Sequence, residues 1–191
     1  MSEAAHRQTL QQRVAAAILD GAARTFAVQG ENANMNDVAA ASGVARATVY
    51  RYFPNRQALL DALASAALSD ADALLAAARI DEVAPEEGLA RAVRALVEVG
   101  DSFVLLARER TRSDPERFER SLAQPLRRLF ERGRQEGDIR ADIASAHLTD
   151  SLIGMTVGVL TSSRVLGKED MIATITGLFL EGARARGPRP E

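Results

Sequence analysis

Apolar residues recur along most of this chain at the three- and four-residue spacing of one helical face. Val14, Ile18, Ala22 and Phe26 form the first stripe and predict a helix over 9–29, stopped by Gly30. Met35 and Val38 mark a second helix ending near Ser42, with Asn34 as its cap and Asp37 at the capping-box position. A short third helix is predicted over Arg46–Tyr52, since Pro54 disfavours helical dihedrals at Phe53. Leu59, Leu60, Leu63 and Leu68 predict a fourth over 55–78, with Asn55 as its cap. The stretch 79–85 breaks the pattern.

A second series of stripes follows. Pro85-Glu86-Glu87 is a helix start, with proline in the first turn and acids at the positive end of the dipole. Leu89, Val93, Leu96, Val97, Gly100, Phe103 and Val104 then predict one long helix over 85–110. Asp114-Pro115-Glu116 opens another, which Pro125 kinks or divides before it reaches Gly137. Asp142 caps a predicted helix over 143–165, Gly167 separates it from a last one over 168–184, and residues 187–191 are expected to form a mobile tail. The pattern gives nine or ten helices and no convincing strand, so the expected fold class is all-α.

Composition agrees. Hydrophobic residues make up 47% of the 191 positions, much of that alanine, the strongest helix former. Aromatics are only 4%, fewer than a β-sandwich or barrel would want. No run approaches the roughly 20 apolar residues of a membrane span, and the first residues do not resemble a secretory signal. The net charge of −2 gives no hint of nucleic acid. Residues 1–60 hold six arginines against four acids, which alone is weak evidence.

The candidate chemistry lies in residues 34–53. Two short helices meet at Gly43, which can take the positive φ of a tight turn. Val38 and Ala39 lie on the first helix, while Val44 and Val49 point back inward. That is the helix-turn-helix spacing, in which the second helix offers a polar face to the DNA major groove. Enzyme chemistry finds little support. Cysteine is absent, there are two histidines, and no phosphate-binding glycine loop or His-Glu-x-x-His motif occurs. The acid pairs Glu86-Glu87 and Glu169-Asp170 fall at helix starts, where the dipole accounts for them. No cofactor or metal is expected. A helical binding or adaptor protein without DNA contact remains the alternative.

The run Ala-Ser-Gly-Val-Ala-Arg-Ala-Thr-Val-Tyr-Arg-Tyr-Phe-Pro-Asn-Arg at 41–56, continued by Gln-Ala-Leu-Leu, resembles the DNA-binding signature of the TetR family of bacterial transcriptional regulators. The specific motif is confined to about 10–65. The resemblance implies that Arg46, Ala47 and Thr48 approach the bases, with Arg51 one turn later. It implies that Tyr50, Tyr52 and Arg56 hold phosphates and that Asn36 lies close to one. Two residues depart from the family pattern: Ala45 stands where serine is common, and Arg56 where lysine is usual.

The resemblance also implies an organisation: a DNA-binding domain over 1–55, a connecting helix over 56–78, and a ligand-binding and dimerisation domain over 79–186. Such a protein would be a cytoplasmic repressor that binds a palindromic double-stranded operator as a homodimer and is released by a small molecule. The small-residue line Ser151, Gly154, Gly158, Ser162 permits close helix approach. With it, Leu152, Val159, Ile172, Ile175, Leu178 and Phe179 are expected to pair with a second copy as a four-helix bundle; alternatively, both stripes close the protomer's own core. Candidate pocket residues are Phe103, Leu106, Phe118, Leu122, Leu126, His147, Ser151 and Met155, an apolar set that suits a hydrophobic or amphipathic effector.

Overall fold

A computed structural model describes residues 3–109, 114–162 and 166–185. Among them the chain is almost entirely helical. α1 (Glu3–Gln29) passes through a 3-10 turn (Gly30–Asn32) into α2 (Met35–Ser42), α3 (Arg46–Tyr52) and the long α4 (Arg56–Ala78). α5 (Pro85–Val99) and α6 (Asp101–Glu109) follow, then α7 (Pro115–Phe118), a π turn (Glu119–Ala123) and α8 (Gln124–Glu136). α9 (Ser145–Ser162) and α10 (Lys168–Ala183) complete the described fold.

Three of these elements differ from the pattern-based expectation. α1 starts at Glu3 rather than near Thr9. The long helix over 85–110 is two helices, because Gly100 takes φ 63° and ψ −133°, a conformation outside the helical region. Pro125 divides its helix, as its position in the sequence predicts. It lacks an N–H, so the turn before it loses an ordinary helical bond and widens into the π turn, after which α8 continues. α9 begins at Ser145, and Asp142 instead takes a bidentate contact from Arg140, at 2.7 and 2.6 Å. The expected tail over 187–191 lies outside the described residues, as does the end of the helix predicted over 143–165.

Two hydrophobic clusters organise the packing. The first joins Ile18, Ala22 and Phe26 of α1, Met35 and Val38 of α2, Val49 of α3, and Leu59, Leu60 and Leu63 of α4. The second begins one residue further along α4, at Ala64, and takes in α5, α6, α8, α9 and α10. α4 therefore changes core between Leu63 and Ala64. Burying a large aliphatic side chain fully is worth about 1.5–3 kcal/mol, so α4 is held strongly at both ends. α6 makes the reverse crossing: Phe103 and Leu106 enter the larger core, while Leu105 enters the smaller one.

Close approaches tighten the larger unit. A Cβ at Gly88 would stand 2.7 Å from the Ile80 carbonyl and from Leu129 Cδ1, and one at Gly133 would meet Ile139 at 2.5 Å. α10 is tied to α5 by Arg94–Glu169, Lys168–Glu98 and Arg184–Glu86. These pairs are exposed, so each adds little individually.

Candidate DNA interface

The helix-turn-helix is built by local rules that the structure satisfies one by one. Asn34 Oδ1 accepts from the backbone N–H of Asn36 (2.8 Å) and Asp37 (3.3 Å). Asp37 Oδ2 accepts in return from the Asn34 N–H at 3.1 Å, completing a capping box. α2 ends at Gly43, whose φ of 68° and ψ of 20° are left-handed. Its N–H and that of Val44 close on the carbonyls of Ala40 and Ala39, and the chain turns sharply enough to start α3 three residues later. Ala45 caps α3 with no side-chain hydrogen bond, as its methyl dictates. The Asn55 side chain caps α4, accepting from Ala58 N–H at 2.8 Å.

α3 is docked by very little. Val49 is fully buried, Thr48 and Tyr52 are half-buried, and Phe53 closes the helix from below. The opposite face is open: Arg46, Ala47, Tyr50 and Arg51 are exposed. The guanidinium of Arg46 lies 5.4 Å from the Tyr50 ring centre and that of Arg51 lies 5.5 Å from the Tyr52 ring. Each arginine thus rests on a tyrosine one turn or one residue away, with no hydrogen bond or ion pair to a described residue. The stacking pre-organises both cations while leaving their donors free. Asn36 is exposed on α2, beside the cap.

Arg56 has a second duty that its sequence position does not reveal. Its Nε donates to the Ala33 carbonyl at 3.3 Å, and its guanidinium lies 4.9 Å over the Phe26 ring. It fastens the start of α4 to α1 and to the entry of α2. Two other ties went unread in the sequence. Gly21 lets α1 approach α2 so closely that a Cβ there would sit 2.8 Å from Ser42 N and Cβ, and Arg24 donates to the Ala41 carbonyl at 3.2 Å. A glycine inside an apolar-periodic helix was the available signal for the first.

The expected effector residues are placed differently from the expectation. Phe103, Leu106, Phe118, Leu122 and Leu126 fill the larger core, His147 and Ser151 are exposed, and Met155 is half-buried. Among the described residues a cleft of about 570 Å³ lies between α4 and the π turn with α8. The periodic apolar pattern identified core positions, and a core position that packs well leaves no cavity.

The expected pairing face is also corrected in part. Leu152, Ile172, Ile175 and Phe179 are buried within the protomer, so they close its own core. Gly154, Gly158, Ser162 and Leu178 stay exposed, Leu178 at 61%, with Val159 half-buried. A Cβ added at Gly154, Gly158 or Gly177 would meet nothing within 4 Å. α9 and α10 therefore present a smooth, largely small-residue outer face.

Residues 18–63 match the family model described as bacterial regulatory proteins, tetR family. Over 96% of its length the chain is 25% identical to the HTH-type transcriptional regulator NfxB of Pseudomonas aeruginosa, covering 97% of that protein. Its fold is similar to the TetR-like regulator LfrR from Mycobacterium smegmatis, solved with proflavine. The TM-score is 0.75 at 22% identity, over 91% of this chain and 97% of that one. It is also similar to AibR, solved with isovaleryl coenzyme A and operator DNA. There the TM-score is 0.68 at 21% identity, over 86% of this chain and 97% of that one. No helix among the described residues is long and apolar enough to cross a membrane.

Proposed function

We propose that this chain, whose residues 18–63 match the TetR family model of bacterial regulatory proteins, is a ligand-responsive, cytoplasmic repressor of that family that grips a palindromic operator as a homodimer. The outer face of α3 carries this reading. Arg46, Ala47, Tyr50 and Arg51 are exposed together on a helix whose inner face is locked by Val49. Arg46, Ala47 and Thr48 read base edges, where a guanidinium pairs with guanine and a methyl meets a thymine methyl. Arg51, Tyr50, Tyr52, Asn36 and Arg56 hold phosphates, which supply affinity rather than sequence preference.

One seven-residue helix reads only a few base pairs, so two heads related by a dyad read two half-sites. The open face of α9 and α10, with Gly154, Gly158, Ser162 and Leu178, is the surface through which a second copy docks. The two-core construction supplies a route for release. α4 and α6 each have side chains in both cores, so a ligand that shifts either helix changes the spacing of the heads.

Run-off transcription tests the sign of the effect. Genomic fragments retained by the protein locate promoters, and added protein should lower transcript from them. Raised transcript would replace repression by activation, and no retained fragment would favour the binding-module reading.

A further inference from the structure

The cleft beside α4 is walled by apolar side chains, Leu75, Ile80, Pro125 and Leu129, and by arginines from the π turn and α8. Arg128 makes no hydrogen bond or ion pair with a described residue. Arg132 spends its Nη donors on the backbone carbonyls of Ile80, Asp81 and Val83, and its Nε has only a loose 3.7 Å contact with Glu136. Arg120 has only a loose 3.6 Å contact with Glu116. One turn further along the same wall, Arg117 donates to two neutral hydroxyls of α4, Ser65 Oγ at 3.0 Å and Ser69 Oγ at 2.6 Å. Asp72 and Asp81 are the acids of the cleft lining. Within the lining itself Arg120, Arg128 and Arg132 stand against Asp72 and Asp81 beside an apolar floor, and the unpaired Arg128 is the group free to attract an anion.

The π turn contributes independently. It places Arg120 and Ser121 in the lining, and π turns inside helices recur at binding sites because they redirect side chains that a regular helix would carry elsewhere. The opposite wall, Asp72, Leu75 and Ala76, is the C-terminal part of α4, whose other end holds Leu59, Leu60 and Leu63 in the core of the DNA-binding head.

We propose that this cleft is the effector site and that its ligand is an amphipathic organic anion, an apolar chain or ring system ending in a carboxylate or phosphate. The inference rests on the reading of the chain as a ligand-responsive regulator and sharpens it. The apolar body lies along Leu75, Ile80 and Leu129, the acid meets Arg128, and occupancy pushes on α4.

Calorimetric titration with straight-chain carboxylates from hexanoate to dodecanoate tests this, with the alcohol and the trimethylammonium of each length as comparison. The expected result is a carboxylate that binds at least tenfold tighter than its matched alcohol and ammonium. Arg128→Gln should lose about tenfold for that carboxylate and nothing for the alcohol. Arg128 has no hydrogen-bond or ion-pair partner among the described residues, so the variant should melt with the parent. Equal affinity across the three head groups, preference for the ammonium, an unchanged Arg128→Gln, or no binding at all would each overturn the proposal. DNA retention measured on the same samples separates the two readings. Retained DNA without carboxylate binding removes this effector site and leaves the regulator, whereas carboxylate binding without DNA retention does the opposite.

Discussion

Val49→Ala isolates what holds the recognition helix in place. Val49 is fully buried and is the one residue of the seven in α3 that is. Removing two methyl groups from an enclosed site costs about 0.8 kcal/mol each in lost burial. The vacated volume, on the order of 50 Å³, adds roughly 1 kcal/mol at ~24 cal/mol per Å³ if the site does not collapse. The two contributions together come to about 2–3 kcal/mol. For a chain of this length each kcal/mol moves the melting midpoint by about 2–4 °C, so a fall of roughly 4–12 °C is expected. Helical circular dichroism followed on heating measures it. DNA affinity should be measured well below the transition. It should fall less than stability does, because no DNA-facing group is removed. A midpoint within a degree or so of the parent would mean that α3 is not anchored through Val49. An intact midpoint with lost DNA binding would mean that Val49 acts at the interface rather than beneath it.

The other predictions separate the remaining parts of the account. Arg51→Ala should weaken binding about equally on all sequences and reduce the slope of log affinity against log salt by about one unit. Arg46→Ala should instead change the preferred sequence, and titration against matched and mismatched duplexes at several salt concentrations would contradict this if the two variants behaved alike. Gly158→Asp should give a folded monomer in sedimentation, because its side chain meets nothing in the protomer yet places a charge on the proposed pairing face; an intact dimer would exclude that face. Glu169 titrates below its ordinary 4.5 because Arg94 hydrogen-bonds it and adds its positive charge. The native carboxylate is therefore favoured above the unfolded value, and that stabilisation is lost as pH falls through the lowered one. Glu169→Gln should flatten the acid side of the urea-midpoint profile, by a small amount since the pair is exposed; an unchanged profile would show that the contact is not populated in solution.

How much of this was legible in the sequence depends on whether the information was local. Asn34, Asp37, Gly43 and Asn55 act through bonds to residues two to four positions away, and the structure places those bonds where the residue types predict them. The periodic apolar stripes likewise identified core positions, because burial of one helical face is a period-3.6 signal. What could not be read is which core or which partner a stripe faces. Leu152, Ile172, Ile175 and Phe179 carry the same pattern whether they meet their own protomer or a second one, and only tertiary placement shows the former. Leu105 sits in the head's core although it lies on α6, far from that unit in sequence.

The cleft posed a different difficulty. Its lining mixes Arg120, Arg128 and Arg132 with Leu75 and Ile80 from distant segments, and on their own helices these arginines look like ordinary solvated charges. Gly100 falls within the apolar stripe of one long predicted helix, although a glycine in such a run serves equally well as a break. Pro125 was recognised as a disturbance, and the π turn is the form that disturbance takes when flanking apolar contacts keep the helix going.

Selection from a random double-stranded DNA pool at physiological salt, followed by sequencing of what the protein retains, tests the central claim most directly. The account predicts an enriched inverted repeat whose half-sites change when Arg46 is replaced. Retained sequences with no common repeat, or no retention by a folded and dimeric protein free of ligand, would contradict it.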